Sequence, residues 1–432
     1  MLRAFSNAFK IPELRGKLLF TLGIIAVYRL GSFIPIPGVD FSVLQAARES
    51  AQASGAVALI NLFSGGALTQ LAIFALGIMP YITSSIIMQL LTVVIPKLEE
   101  WQKEGESGTK RITQLTRYLT VVLAVLQSTA ILVLLGNSPE QLLGLDAPGL
   151  IPNNSVGITA LQVLTLTAGT AFIMWLGELI TQRGIGNGMS LIIFSSIISQ
   201  LPSQGGQILS RDDGAIVFPI VLLVVLALIV GVVFVEQGQR RIPVQYAKRQ
   251  VGRRSYGGTS TYIPLKVNQA GVIPIIFASS LLYLPSLASS IIGNPSFTNF
   301  TNTYFGQANA NPIYLAVFFG LIVFFAYFYT SITFNPIDVA DNMKKYGGFI
   351  PGIRPGRPTA EYLDRVLTRI TLPGAVYLGL LALIPLIVLG IFGINFPLGG
   401  TSLLIAVGVA LETMKQLESQ LLQRHYEGFL KG

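Results

Sequence analysis

Ten apolar stretches, each long enough to cross a hydrocarbon layer, divide the chain at about 18–37, 71–95, 115–136, 157–180, 188–206, 214–235, 269–292, 312–333, 370–392 and 398–414. A helix rising 1.5 Å per residue needs about 20 residues to cross ~30 Å of lipid. With no water there to satisfy the backbone, runs of this length must be helical. Only 11% of the residues are charged, against about 25% in soluble domains. The sequence therefore predicts an all-α polytopic membrane protein with ten transmembrane helices.

The connections between the stretches alternate in charge. Those facing one side carry 26 of the 29 Lys and Arg residues; the other side has only Arg48 and Arg211, and Arg29 falls inside the first stretch. The positive-inside rule then places both termini in the cytoplasm. Arg3, Lys10, Arg15 and Lys17 precede the first stretch and no small-residue cleavage site follows it, so that stretch is expected to be retained as a span. Five spans precede residue 207 and five follow. An odd number in each half threads the halves through the membrane in opposite senses, and inverted repeats of this kind hold a pathway at their interface. The expected division is an N-terminal half at 1–206 and a C-terminal half at 207–432, the latter with long basic loops at 236–267 and 334–369.

One segment breaks the pattern. Val57 to Phe63 is an apolar run of seven residues, followed by Ser64-Gly65-Gly66 and then by the full-length apolar stretch Leu71 to Ile95 with Pro80 inside it. Seven helical residues reach only ~11 Å, so this run enters the membrane part-way. A broken element of this kind is stable only where protein buries it or where it lines an aqueous cavity. The chain is thus expected to contain a pore or binding cavity.

Chemistry is largely excluded. With no Cys and a single His, His425, in the polar tail, thiolate metal sites, disulfides and a Cys nucleophile are ruled out. GESGTK at 105–110 lacks Walker A spacing, and GIGNG at 184–188 joins two membrane spans with no strand before it. No HExxH, serine elbow or carboxylate pair occurs. Neither a cofactor nor an enzymatic activity is expected.

A series of motifs carries more. SFIPIPG at 32–38, NLFSGGAL at 61–68, FALGIMPYI at 74–82, KEGESG at 103–108, MWLGE at 174–178, RGIGNG at 183–188, EQGQRR at 236–241, LKVNQAGVIP at 265–274, PGIRPG at 351–356 and GGTSLLI at 399–405 follow one another in order. Together they resemble the SecY family, the channel subunits of the bacterial protein translocase, over about residues 13–412. The resemblance implies a clamshell of two inverted five-helix halves around a central hourglass pore. It makes the segment at about 56–67 (Leu59, Ile60, Asn61, Leu62, Phe63, Ser64, Gly65 and Gly66 among it) a plug, and places the pore ring on Ile78, Ile82, Met189, Ile193, Ile276 and Ile405. Branched aliphatic chains without hydrogen-bonding groups resist wetting at a constriction, and a thioether suits an adaptable gasket. Without the resemblance, an Ile in a span reads as packing or lipid contact.

The resemblance also implies a lateral gate between the second and seventh spans, flanked by the third and eighth. Thr83, Gln127 and Asn268 are its polar residues, able to hydrogen-bond across the seam or simply to hold helices together. Arg253, Arg254 and Arg354 lie on the basic loops, where forked guanidinium groups suit carboxylate and phosphate partners. By resemblance these are the SecA motor ATPase and the ribosomal RNA of the ribosome; the plainer readings are topology and anionic membrane lipid. SecE and SecG are the implied companion subunits, signal-peptide-bearing polypeptides the cargo, and the bacterial inner membrane the location. Two charges stand apart: Arg29 lies near the outer half of the first span and Glu178 near the cytoplasmic end of the fourth, either snorkelling to the interface or held by an ion pair or hydrogen bond. A secondary solute carrier is the rival function, but carriers coupled to cations keep acidic or His groups at mid-depth, and the mid-span polar residues here are neutral.

Overall fold

The computed structural model describes residues 9, 11–40, 64–137, 155–210, 214–246, 249–251, 254–256, 260–292, 294–304, 311–391 and 400–430. The N-terminal half contributes α1 (Pro12–Gly31), α2 (Met79–Val94), α3 (Pro96–Lys103), α4 (Glu106–Asn137), α5 (Val156–Arg183) and α6 (Gly188–Leu209). The C-terminal half contributes α7 (Gly214–Gln237), α8 (Ile273–Ile292), α9 (Pro295–Tyr304), α10 (Pro312–Thr333), α11 (Pro336–Lys345), α12 (Arg357–Ile391) and α13 (Gly400–Leu430). Ten of these helices fall on the ten apolar stretches. Several open where the sequence supplies a start: Pro sits in the first turn of α1, α2, α3, α10 and α11, where its missing N–H costs nothing. Asn187, Asn311 and Asn335 accept from the first free N–H groups of α6, α10 and α11. Hydroxyls inside the bundle turn back on their own helix, as Thr120 does to Thr116 O (2.7 Å) and Thr170 to Leu166 O (3.1 Å), so they need no water.

The bundle wears its apolar groups outward as well as inward. Leu223, Val230 and Phe234 on α7 are 68%, 68% and 80% exposed, a surface suited to lipid or to an apolar partner helix. Among the described residues, α4, α5, α7, the α10–α11 stretch and α12 are long and apolar enough to cross unaided. The apolar runs of α6 and α8 are shorter, and α2 qualifies only jointly with α3, beyond a 100° bend.

The stretch 71–95 departs from expectation. It is not one helix broken at Pro80: α2 begins at Met79, and residues 64–78 are a string of turns. Gly65, Gly66 and Gly77 have φ of +66°, +87° and +56°, and Leu71, at +44°, is the one described non-glycine residue in that region. Such turns survive at membrane depth because they are buried and paired. Ala67, Leu68, Leu71, Ala72 and Ile78 are at most 1% exposed, and Ile36 N and Ile73 N donate to Leu71 O (2.8 Å) and Ile34 O (2.9 Å).

A small antiparallel sheet lies outside the bundle. β1 (Gln239–Tyr246), β4 (Ser260–Lys266) and β5 (Gly348–Phe349) are ordered β4-β1-β5, and a separate pair joins β2 (Arg249–Val251) to β3 (Arg254–Tyr256). The sheet adds to the all-α expectation and joins the two basic loops: Gln245 pairs with Phe349 and Tyr246 with Gly348. Ile242, Val244, Leu265, Met343, Ile350 and Leu363 bury together beneath it. The halves meet where α6 packs on α7 and α13, and again, thinly, where α4 touches α8.

Candidate functional site

All six expected ring residues come together. Ile78, Ile193, Ile276 and Ile405 are buried in one apolar cluster at 1%, 5%, 8% and 1% exposure, and Ile82 and Met189 pack against it. Four helices supply them. Ile82 is in the first turn of α2 with Ile78 just before it, Met189 and Ile193 lie one turn apart on α6, Ile276 is in the first turn of α8, and Ile405 is near the start of α13. Both halves therefore contribute, and no hydrogen-bonding side chain is among the six.

Met189 is seated by a glycine. A Cβ on Gly177 of α5 would lie 2.4 Å from Met189 Sδ, and one on Gly188 would lie 1.9 Å from Gly177 O. Thr181 ties the two helices at this point, donating to Gly177 O (3.0 Å) and accepting from Gly188 N (2.9 Å). The small residues of MWLGE and GIGNG thus allow α5 and the start of α6 to approach backbone to backbone.

Of the expected plug, Leu59, Ile60, Asn61, Leu62 and Phe63 lie outside the described residues; Ser64, Gly65 and Gly66 are described. Arg29 in the last turn of α1 donates from Nη1 to Gly65 O (3.0 Å) and lies over the Phe33 ring at 5.3 Å. The fully buried Tyr28 donates to Ser64 O (3.2 Å) and shares a 2.7 Å hydrogen bond with Ser196 Oγ of α6. The Tyr28 ring stacks on Phe74 at 5.8 Å. Arg29 is thus a hydrogen-bond post rather than a snorkelling charge. Tyr28 and Ser196 were not singled out in the sequence; the only signal nearby was a cation inside an apolar span.

The second lone charge has an ion partner. Arg117 of α4 meets Glu178 of α5 two-pronged, Nε to Oε1 at 2.7 Å and Nη2 to Oε2 at 2.6 Å, with the carboxylate side chain 18% exposed. This fork fixes α5 beside the glycine that seats Met189.

Two of the three expected gate residues hydrogen-bond within their own halves. Thr83 donates to Met79 O (2.9 Å) on its own helix, and Asn268 donates to Glu236 Oε2 (3.1 Å) and Gly271 O (3.0 Å). Gln127 is half-buried on α4. Apolar contact bridges the seam instead: Ile86 of α2 and Val272 before α8 pack against both the waist cluster and the cluster of the C-terminal half.

On the basic face, Arg354 is exposed on the PGIRPG turn. Gly352 and Gly356 there take φ of +82° and +100°, a conformation that favours glycine, and Thr359 Oγ1 donates to Arg354 O (2.9 Å). Arg241 lies over Tyr262 across the hairpin at 4.8 Å. Arg254 opens β3, and Arg253 lies outside the described residues. Nearby, Lys110 Nζ meets Glu106 Oε1 at 2.8 Å. Hydrogen bonding within this exposed pair raises the lysine pKa and lowers that of the carboxyl.

Comparison with known proteins follows the same lines. A family profile described as SecY matches residues 72–414. The protein translocase subunit SecY of Streptomyces scabiei is 59% identical over 449 aligned residues, covering 100% of both chains. That of Mycobacterium tuberculosis strain H37Rv is 56% identical over 445, again covering 100% of both. Among solved structures, one described as the structure of a protein conducting channel superposes with a TM-score of 0.61 at 18% identity, covering 93% of this chain and 91% of that one. Sec61 in a canine ribosome–channel complex from the endoplasmic reticulum gives 0.57 at 16%, with the same coverage. At those identities the superpositions speak to fold alone. The profile and the full-length relatives speak to descent: this chain belongs to the SecY family.

Proposed function

We propose that this chain is a protein-conducting channel that passes unfolded, signal-bearing polypeptides across the membrane and releases apolar segments sideways into lipid. The observation that carries this is the waist: six residues without hydrogen-bonding side chains, drawn from four helices of both halves, four of them buried in one cluster and two, Ile82 and Met189, packed against it. A cluster of that chemistry excludes water when empty and offers a passing chain of any sequence nothing to bind. The segment at 56–67 acts as the plug, and the seam between α2 and α8 is the lateral gate. Its contact through Ile86 and Val272 is one that an incoming apolar helix replaces in kind.

Transport rather than catalysis is the activity, with energy supplied from outside the chain. Arg253, Arg254 and Arg354 form the docking face for a SecA-type motor or for ribosomal RNA. In support, solved relatives of this fold are described in complex with ribosomes, the canine Sec61 channel and the yeast Ssh1 complex among them. SecE and SecG are the companion subunits. The membrane is the bacterial inner membrane, with both termini in the cytoplasm as the basic connections require.

The test is reconstitution in vesicles. A signal-bearing polypeptide is expected to become protected from added protease only when the motor and ATP are present. Uptake of a small solute without the motor, with no polypeptide protected, would overturn the proposal in favour of a carrier.

A further inference from the structure

Arg29 is a cation at the C-terminal end of an apolar helix, and among the described residues its guanidinium donates to the carbonyl of Gly65. The C-terminal dipole of α1 favours a positive charge at this point, and the Phe33 ring covers the guanidinium. The backbone at 64–66 is gripped closely: a Cβ on Gly65 would lie 2.7 Å from Arg29 Nη1 and 3.2 Å from Ser196 Cα. Gly65 and Gly66 at φ of +66° and +87° are the residues able to take that path. One residue earlier on α1, Tyr28 is 0% exposed, and its stacking on Phe74 fixes the direction of its hydroxyl. Its contacts to Ser64 O and Ser196 Oγ join α1, the 64–66 turn and α6, the helix that carries Met189 and Ile193.

We infer that Tyr28 and Arg29 are the positioning residues that seat the root of the plug in the shut channel; this rests on reading 56–67 as that plug. A carboxylate partner would hold the guanidinium by full charge pairing. The neutral carbonyl of Gly65, the acceptor among the described residues, holds it by a charge-assisted hydrogen bond, which seats the turn yet gives way to a competing chain. The tyrosine supplies direction and the arginine supplies grip.

The test is resting ion conductance of the purified channel in planar lipid bilayers. Deleting 56–63 is the reference and is expected to raise conductance severalfold. Arg29→Met is expected to raise it towards that level. Tyr28→Phe, which loses only one oxygen and keeps the ring stack, is expected to raise it less, and Arg29→Lys, which keeps a donor and the charge, to stay near the parent. The chain has no Cys, so Ser64→Cys reports on the seat directly: an impermeant maleimide is expected to modify it faster with Met at position 29 than with Arg. A deletion without added conductance sinks the plug reading. A leaking deletion beside a silent Arg29→Met and a silent Tyr28→Phe, with equal modification rates at position 64, sinks the seating role alone.

Discussion

An aliphatic side chain gives water nothing to bind, and at a constriction six of them convert a wettable passage into a dry one. Replacing Ile276 or Ile82 with Asn puts an amide into that cluster, and polar groups of this kind differ from apolar ones by ~1–3 kcal/mol on burial. Each ~1.4 kcal/mol off a barrier is about tenfold in rate. Resting ion conductance in planar bilayers is therefore expected to rise roughly tenfold or more in either variant, while motor-driven passage of polypeptide continues; an unchanged resting current in both would remove these residues from the ring. Glu178 is the second test at this scale. Glu178→Gln leaves the Arg117 fork facing a neutral amide. Because the arginine side chain is 43% exposed, solvent screening limits the loss to about 1–2 kcal/mol. The expected outcome is a lower thermal unfolding midpoint in detergent, with the fold retained. The sequence flagged both lone charges but could name neither partner. Arg117 is distant in sequence from Glu178, and a backbone carbonyl such as that of Gly65 leaves no mark in a sequence at all.

Helices were legible because a span of apolar residues has one stable answer in lipid. Two other kinds of element were not. Residues 71–78 have the composition of a span, yet Leu71 and Gly77 at positive φ make them part of a buried knot of turns, and composition carries no record of a dihedral. The hairpin was hidden for the opposite reason. Its strands contain Pro243 and Pro264, which read as strand breakers, and its exposed positions carry the arginines that made the segment look like a solvated loop; only the alternation of buried Ile242 and Val244 marks it. At this scale the α5–α6 packing makes a prediction of its own. Gly177→Ala drives a methyl group into Met189 Sδ and is expected to push the thioether out of its seat towards the waist, slowing transport of a chain that carries a bulky cross-linked loop. Adding Met189→Ala is expected to restore the rate. No recovery in the double variant would mean that position 177 acts through something other than Met189.

For the whole molecule, the proposed function separates two parts: an apolar waist inside the bundle and an exposed turn carrying Arg354 outside it. Arg354→Glu reverses the charge on an exposed turn without touching the bundle. It is expected to cut motor- or ribosome-driven transport by about tenfold, on the scale of one lost charge-assisted contact at an interface, with the amount of channel in the membrane unchanged. Normal transport at parental channel levels would count against this turn as a docking point. That the six expected ring residues share one apolar cluster could be anticipated from the sequence because ordered motifs carried their positions. The gate was less legible: Thr83 and Asn268 keep their hydrogen bonds within their own halves, and the residues bridging the seam, Ile86 and Val272, look like any others in a span.

The sheet that staples the two basic loops has a mechanical corollary. β1 begins two residues beyond the end of α7, and Val267 N bonds Gly238 O at 3.0 Å to close the hairpin at its base. β4 runs on towards α8, while β5 leads into the turn that precedes α12. A body leaning on the hairpin tip or on the PGIRPG turn therefore works a crowbar whose fulcrum is the apolar pad under the strands. Through these strands the hairpin and the turn connect to α7, α8 and α12 together, so a push from outside would be shared among three helices rather than borne by one.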